Sequence, residues 1–255
     1  MDDRILRELE LLPITRLYGL DSRQASETIS AASPEPAVSR TPAPVAPAHR
    51  EKATPGLSPP AATPAEGVET MDWAALREAV GSCRRCGLCE QRKQAVFGVG
   101  EEAAPWLFVG EAPGADEDEK GEPFVGQAGK LLDNMLAALK LSRGREVYIA
   151  NVVKCRPPGN RLPAPEEAAA CAAWLDRQIA LIGPRIIVAL GKTAAIRLTG
   201  IESSLASLRG KVHDYRGIPL VITYHPAYLL RSLPEKSKAW EDLLFAKHTL
   251  ETAAA

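Results

Sequence analysis

Four stretches of the chain are nearly continuously apolar, and the segments between them mix polar and apolar residues at helical spacing. The apolar runs are Trp106-Leu107-Phe108-Val109, residues 147–153, residues 185–190 and residues 218–223. Short runs without polar alternation mark strands covered on both faces, as in a parallel sheet. Residues 72–80 read as a short helix with Thr70 or Asp72 as N-cap and Gly81 as its stop. Residues 129–141 set Leu131, Leu132, Met135, Leu136 and Leu139 on one face. Pro165, followed by Glu166 and Glu167, begins a helix running to about residue 181, because proline fits the first helical position and acids suit the positive end of the dipole. Residues 192–198 and about 234–251 complete the helices.

Strands that alternate with helices in this way predict an α/β fold: three layers, α/β/α, around a central, mostly parallel four-stranded sheet. In such a sheet the loops that follow the strands meet at its carboxyl edge, where open α/β sheets hold their ligands. Three loops are therefore expected to converge, residues 110–126, 151–161 and 224–231. Before residue 71 the pattern fades. Residues 4–20 carry a helix-like spacing of Ile5, Leu6, Leu9, Leu12, Leu17 and Leu20, interrupted by Pro13. From about residue 31 to 70 the chain is Ala, Pro, Ser, Thr and Glu, too poor in large apolar residues to offset the entropy of ordering. Residues 1–70 thus read as an extension, a short helix followed by a disordered Pro/Ala-rich linker, and residues 71–255 as the folded domain.

Composition changes this picture in two places. A formal net charge of -1 supplies no global basic field, so any nucleic-acid surface must be local. The start, Met1-Asp2-Asp3, lacks the basic and apolar segments of a secretion signal, and the apolar stretch 179–190 is broken by Gly183-Pro184-Arg185. The expectation is a cytoplasmic chain with no membrane partner. The five cysteines matter more. Without a secretion signal they point to metal or redox use. Cys83-x-x-Cys86 with the distant Cys155 and Cys171 offers four thiolates, suited to zinc or to an iron-sulfur cluster. Structural zinc favours two close pairs, so the wide separation favours a cluster. Cys89 extends the run, but Lys93 stands where a bacterial ferredoxin pattern needs its next cysteine, and spacing does not say which of the five is spare.

The loops carry the rest of the candidate chemistry. Residues 110–129 are rich in glycine and proline around a single aromatic, Phe124, which suits a pocket with a stacking platform more than a connection. Asn151 closes a buried strand with an amide that can offer a donor and an acceptor to a planar ligand edge. His225, in Tyr-His-Pro at another strand end, suits an electrostatic stabiliser. His213 and His248 read as structural. Gly191-Lys192-Thr193 imitates a phosphate-binding loop, but Ile186 stands where that motif needs glycine, and the segment reads as a helix start.

Taken together, Gly110-Glu111-Ala112-Pro113-Gly114, the segment 121–129, Asn151-Val152-Val153-Lys154-Cys155-Arg156-Pro157 and His225-Pro226-Ala227-Tyr228-Leu229-Leu230 resemble the family 4 uracil-DNA glycosylases, the iron-sulfur type of bacteria and archaea. The resemblance spans about residues 71–250. It implies a uracil-DNA glycosylase-like fold and a repair enzyme that hydrolyses the N-glycosidic bond of uracil in DNA, releasing free uracil and leaving an abasic site. It implies a 4Fe-4S cluster of structural role on Cys83, Cys86, Cys155 and Cys171, with Cys89 free. The flipped uracil would stack on Phe124 and have its edge read by Asn151, while His225 donates to a carbonyl. Gly110, Ala112 and Asn160 complete the expected substrate-binding set.

In the best-known uracil glycosylases the strand-end motif is Gly-Gln-Asp-Pro-Tyr-His, whose Asp orients water and whose Tyr blocks the methyl group of thymine. Here Ala112 and Gly114 stand at those places, so Glu111 and Glu117 become the candidates for positioning water. Lys154, Arg156, Arg161 and Arg231 are expected to contact DNA, with a side chain from the loop after Tyr228 filling the hole left by the flipped base. The implied partner is uracil-containing DNA, single- or double-stranded, bound by a monomer. A sister group binds uracil-DNA covalently through a histidine on a basic insert, but here Lys154 runs straight into Cys155-Arg156-Pro157-Pro158 with no such insert. A non-catalytic iron-sulfur protein or a zinc-bound DNA-binding module are the remaining alternatives, separated by release of free uracil and by colour.

Overall fold

Each of the four apolar runs forms a strand, and two short strands that no apolar run announces are added at the edges. In the computed structural model, which describes residues 67–253, the strands are β1 (Val99–Gly100), β2 (Trp106–Gly110), β3 (Val147–Asn151), β4 (Ile186–Leu190), β5 (His213–Tyr215) and β6 (Ile218–Thr223). The sheet order is β1-β3-β2-β4-β6-β5. The central four strands run parallel, while β1 and β5 pair antiparallel with β3 and β6. The sheet is therefore six-stranded with a parallel centre of four, and the expected strand count is corrected at its edges. β1 spans two residues and is fixed by its partner: a Cβ on Gly100 would overlap the carbonyl of Val147. β5 joins β6 through Arg216 and Gly217, both with positive φ, the turn whose twist matches a hairpin.

Every residue of β2, β3 and β4 is buried, as strands between two helical layers require. Successive side chains point to opposite faces, so Leu107, Val109, Tyr148 and Ile187 enter one core while Trp106, Phe108, Ile149 and Val188 enter the other. The first core is closed by α1 (Trp73–Ser82), α4 (Pro165–Ile182) and α5 (Lys192–Thr199), and the second by α3 (Gln127–Ala138) and α8 (Glu235–Thr252). Each fully buried Leu, Ile or Phe side chain contributes about 1.5–3 kcal/mol. Three shorter helices are α2 (Ala115–Lys120), α6 (Leu205–Leu208) and α7 (Pro226–Leu229).

Local signals set the ends of these helices. Asp72 caps α1 by accepting from the amide of Ala75 at 2.9 Å, and Gly183 stops α4 in the left-handed region. β3 ends two residues earlier than its apolar run. Val152 and Val153 leave the sheet but stay bonded, their amides donating to the carbonyls of Gly110 and Glu111. The short helix expected within residues 4–20 and most of the linker expected up to residue 70 lie outside the described residues. Among the described residues no helix is long and apolar enough to cross a membrane.

Candidate functional site

β2, β3 and β6 end at the same edge of the sheet, and the loops beyond them enclose a cavity of about 210 Å³. Glu111, Ala112, Glu117, Phe124, Asn151, Asn160, Arg161 and His225 all line it. Gly110 lies behind the wall. A Cβ there would overlap both the Phe124 ring and the side chain of Asn151, so glycine allows those two groups to meet.

Phe124 is buried and sits at φ 56, a left-handed conformation that costs a non-glycine residue free energy and persists only where the surroundings enforce it. Three features do so. Arg143 donates to the carbonyls of Pro123 and Phe124 at 2.7 and 2.8 Å while pairing with Asp133. Glu117 accepts from the amides of Val125 and Gly126 at 2.8 and 3.1 Å. Gly129, inside α3, has no Cβ, and any Cβ there would overlap the carbonyl of Phe124. The ring is thereby held with its centroid 5.5 Å from that of His225, tilted by 31°.

His225 is the N-cap of α7, where its Nδ1 accepts from the amide of Ala227 at 3.2 Å. A neutral ring whose Nδ1 accepts must carry its proton on Nε2, which leaves an N–H donor for the cavity. Burial, aided by the charge of Arg231 and opposed by Glu117, pulls its pKa down to about 4, so the neutral form prevails at neutral pH. Asn151 is buried, and its Oδ1 has no hydrogen-bond partner among the described residues. Such an orphan costs about 1–3 kcal/mol, a penalty that a ligand N–H removes.

The two carboxylates differ in freedom. Glu117 is committed to the loop, accepting also from the amide of Gly114 at 3.0 Å. Glu111 accepts one hydrogen bond, from the Thr193 hydroxyl, and burial raises its pKa more than that bond lowers it. Thr193, which the sequence places only in a helix start, is the hydrogen-bond partner of Glu111 at the cavity.

Of the four expected DNA contacts, Arg156, Arg161 and Arg231 are at least partly exposed. Arg156 bonds Asn160 Oδ1 at 2.7 Å, and Arg161 grips Glu167 with both terminal nitrogens. Lys154 is a correction: it is 1% exposed and cannot reach DNA. Its Nζ donates to the Asn151 carbonyl at 2.9 Å, and desolvation pulls its pKa down to about 8 against the Cys171 and Cys155 sulfurs. A loop lysine carries no sequence signal for pointing inward.

A second, much tighter hollow, of about 10 Å³ on the same measure, is lined by Cys83, Cys86, Cys155 and Cys171. Cys83 ends α1, Cys86 caps the 3-10 turn Gly87–Glu90, Cys155 follows β3, and Cys171 lies on α4. Cys89 is outside the lining, facing a neighbouring groove. Burial pushes Cys155 up to about 11 and Cys171 up to about 12. Two N–H groups point at these sulfurs: Arg92 Nη1 meets Cys155 Sγ at 2.8 Å and the Lys154 amide meets Cys171 Sγ at 3.3 Å. Arg92 also donates to the carbonyls of Gly81 and Cys83, at 2.7 and 3.0 Å.

The profile of the Uracil DNA glycosylase superfamily matches residues 97–244. The chain is 48% identical to the type-4 uracil-DNA glycosylase of Archaeoglobus fulgidus over 157 residues, 58% of this chain and 78% of that one. It is 44% identical to the type-4 enzyme of Pyrobaculum aerophilum over 181 residues, 68% and 92% of the two chains. Against the type-4 enzyme of Thermotoga maritima it is 48% identical over 159 residues, 62% and 82%. With the superfamily profile covering over half its length and nearly all of one relative aligned, the chain belongs to the type-4 uracil-DNA glycosylases.

Proposed function

We propose that the cavity at the carboxyl edge is where this uracil-excising DNA repair glycosylase takes up a flipped uracil and releases it by hydrolysing the N-glycosidic bond. The observation that carries the proposal is the buried, unpartnered Oδ1 of Asn151 beside the Phe124 ring and the Nε2–H of His225. Uracil has an N–H at N3 and a carbonyl at C4, which complement the oxygen and the nitrogen of one amide. Cytosine reverses both, presenting an acceptor and an amine, and would leave buried polar groups unpaired. Phe124 supplies the stacking face.

As the bond to the sugar lengthens, negative charge collects on the base and positive charge on the sugar. A neutral His225 donating to a base carbonyl stabilises that anion, and removing such a donor costs about 2.7–4 kcal/mol of barrier. Glu111, with one oxygen held by Thr193, is the carboxylate free to orient water toward the sugar. Glu117, fully bonded to backbone amides, acts by holding the loop. Ala112 and Asn160 shape the wall.

We assign DNA contacts to Arg156, Arg161 and Arg231, and the filling of the vacated base stack to the exposed Tyr228, Leu230 and Leu233. We assign a 4Fe-4S cluster to Cys83, Cys86, Cys155 and Cys171. Four thiols around one apolar hollow support this, as do the donors from Arg92 and Lys154. The cluster would supply structural cross-linking of the loops and no redox step. We assign the enzyme as a monomer of the cytoplasm, whose reducing conditions suit cysteines that are not tied up in disulfides.

The test uses matched oligonucleotides carrying U, T, C or hypoxanthine, with the wild type beside His225→Ala and Asn151→Ala. The expected outcome is rapid release of uracil by the wild type, a loss of about 10²–10³-fold in His225→Ala, and weakened discrimination against cytosine in Asn151→Ala. Both variants matching the wild type would contradict the proposal.

A further inference from the structure

The cysteine hollow and the base cavity are separate, yet α2 is bonded to the surroundings of both. We propose that Asp118 is a positioning residue that fixes the Phe124 loop to the cysteine lobe, meaning residues 83–95 with Cys155 and Cys171, so that order in that lobe sets the affinity of the base pocket. The proposal rests on the reading of the cavity as a uracil pocket.

Asp118 is 3% exposed, although it is an acid on a six-residue helix that also carries Asp116, Glu117 and Glu119. A carboxylate is buried at this depth only against donors. Its donors come from the cysteine lobe, because Oδ1 accepts from the amides of Lys93 at 2.9 Å and Gln94 at 3.4 Å. Gln94 also donates to the Glu119 carbonyl at 2.7 Å, and Lys93 pairs with Glu119. Gly121 allows this approach, since a Cβ there would lie 2.7 Å from the Gln94 side-chain oxygen.

One residue before this strip, Arg92 binds Cys155 Sγ and the carbonyls of Gly81 and Cys83. One residue before Asp118, Glu117 holds the amides of Val125 and Gly126 and so fixes the left-handed Phe124. The series runs from Cys155 to Arg92, along the chain to Lys93, across to Asp118, along the chain to Glu117 and on to the amides of Val125 and Gly126 that follow Phe124. A helix this short does not hold itself in water. Its position therefore comes from the anchors at its two sides, and Asp118 is the buried one on the cysteine side.

The experiment uses the full-length protein purified with its cofactor and compares Asp118→Ala, Asp118→Asn and Gln94→Ala. Visible absorbance per chain reports the cluster, titration with free uracil reports the pocket, and hydrogen exchange reports the amides of residues 122–126. Asp118→Ala is expected to keep its visible absorbance, to bind uracil about tenfold more weakly, and to exchange faster at residues 122–126. Asp118→Asn keeps an oxygen acceptor and is expected to recover most of the affinity. Gln94→Ala, which loses only the neighbouring bond, shows the same changes at smaller size and serves if Asp118→Ala does not fold. Wild-type affinity and exchange in Asp118→Ala, or in Gln94→Ala where it stands in, would overturn the proposal, as would an Asn variant no better than Ala. Failure of the pocket reading is seen separately, as a wild type that neither binds nor releases uracil.

Discussion

At the scale of single residues, the pocket keeps one imidazole in a protonation state that water would not guarantee. His225, pulled down to about 4, stays neutral through the physiological range, and its Nδ1 stays an acceptor for the Ala227 amide. The sign follows directly: the unfolded chain takes up a proton near the ordinary histidine pKa of 6.5, the folded chain only near 4, so this site favours unfolding progressively as pH falls from about 6.5 to 4. The rate of uracil release is therefore predicted to show no inflection near pH 6.5. Its acid limb should belong to Glu111, whose carboxyl titrates above its ordinary value and, in the proposed mechanism, acts ionised to orient water. In a pH-rate profile, Glu111→Gln should lower the plateau and flatten the acid limb. An inflection near 6.5 that disappears in His225→Gln would contradict the assignment.

At the scale of elements, the Phe124 loop is built by exclusion as much as by bonding. Gly129→Ala is predicted to force the Phe124 carbonyl away from α3, lowering stability by about 1–3 kcal/mol, as overpacking does, and weakening uracil binding. Thermal unfolding with uracil titration checks both, and an unchanged variant would show that the contact between α3 and Phe124 is soft. The same loop marks what could be read in the chain beforehand. β2, β3, β4 and β6 announced themselves because parallel strands are apolar throughout, and the convergence of Phe124, Asn151 and His225 follows from their places beyond strand ends. β1 and β5 were silent because partners fix them, Gly100 against Val147 and the Arg216-Gly217 hairpin, with no pattern of their own. α2 passed for loop because six residues with four acids show no apolar period. Arg143, Arg92 and the inward Lys154 act through side-chain direction, which spacing in a loop does not encode.

At the scale of the whole molecule, the proposed chemistry sits at a sheet edge and the proposed cluster beside it would hold the loops. Substituting Cys155 or Cys171 by Ser is predicted to bleach the visible absorbance and lower the unfolding temperature, whereas Cys89→Ser should leave both unchanged, because Cys89 lies outside the hollow. Absorbance spectra and melting curves check this, and bleaching in Cys89→Ser would reassign the ligand set. DNA affinity of Arg231→Ala, followed against salt, should show a slope smaller by about one than that of the wild type. The central claim is that one cavity reads uracil through Asn151, Phe124 and His225 together. A crystal structure with free uracil tests it most directly. The account predicts the ring stacked on Phe124, its N3 and O4 bonded to the Asn151 amide and a carbonyl facing His225 Nε2. Uracil bound elsewhere, or bound there with Asn151 Oδ1 still unpaired, would contradict it.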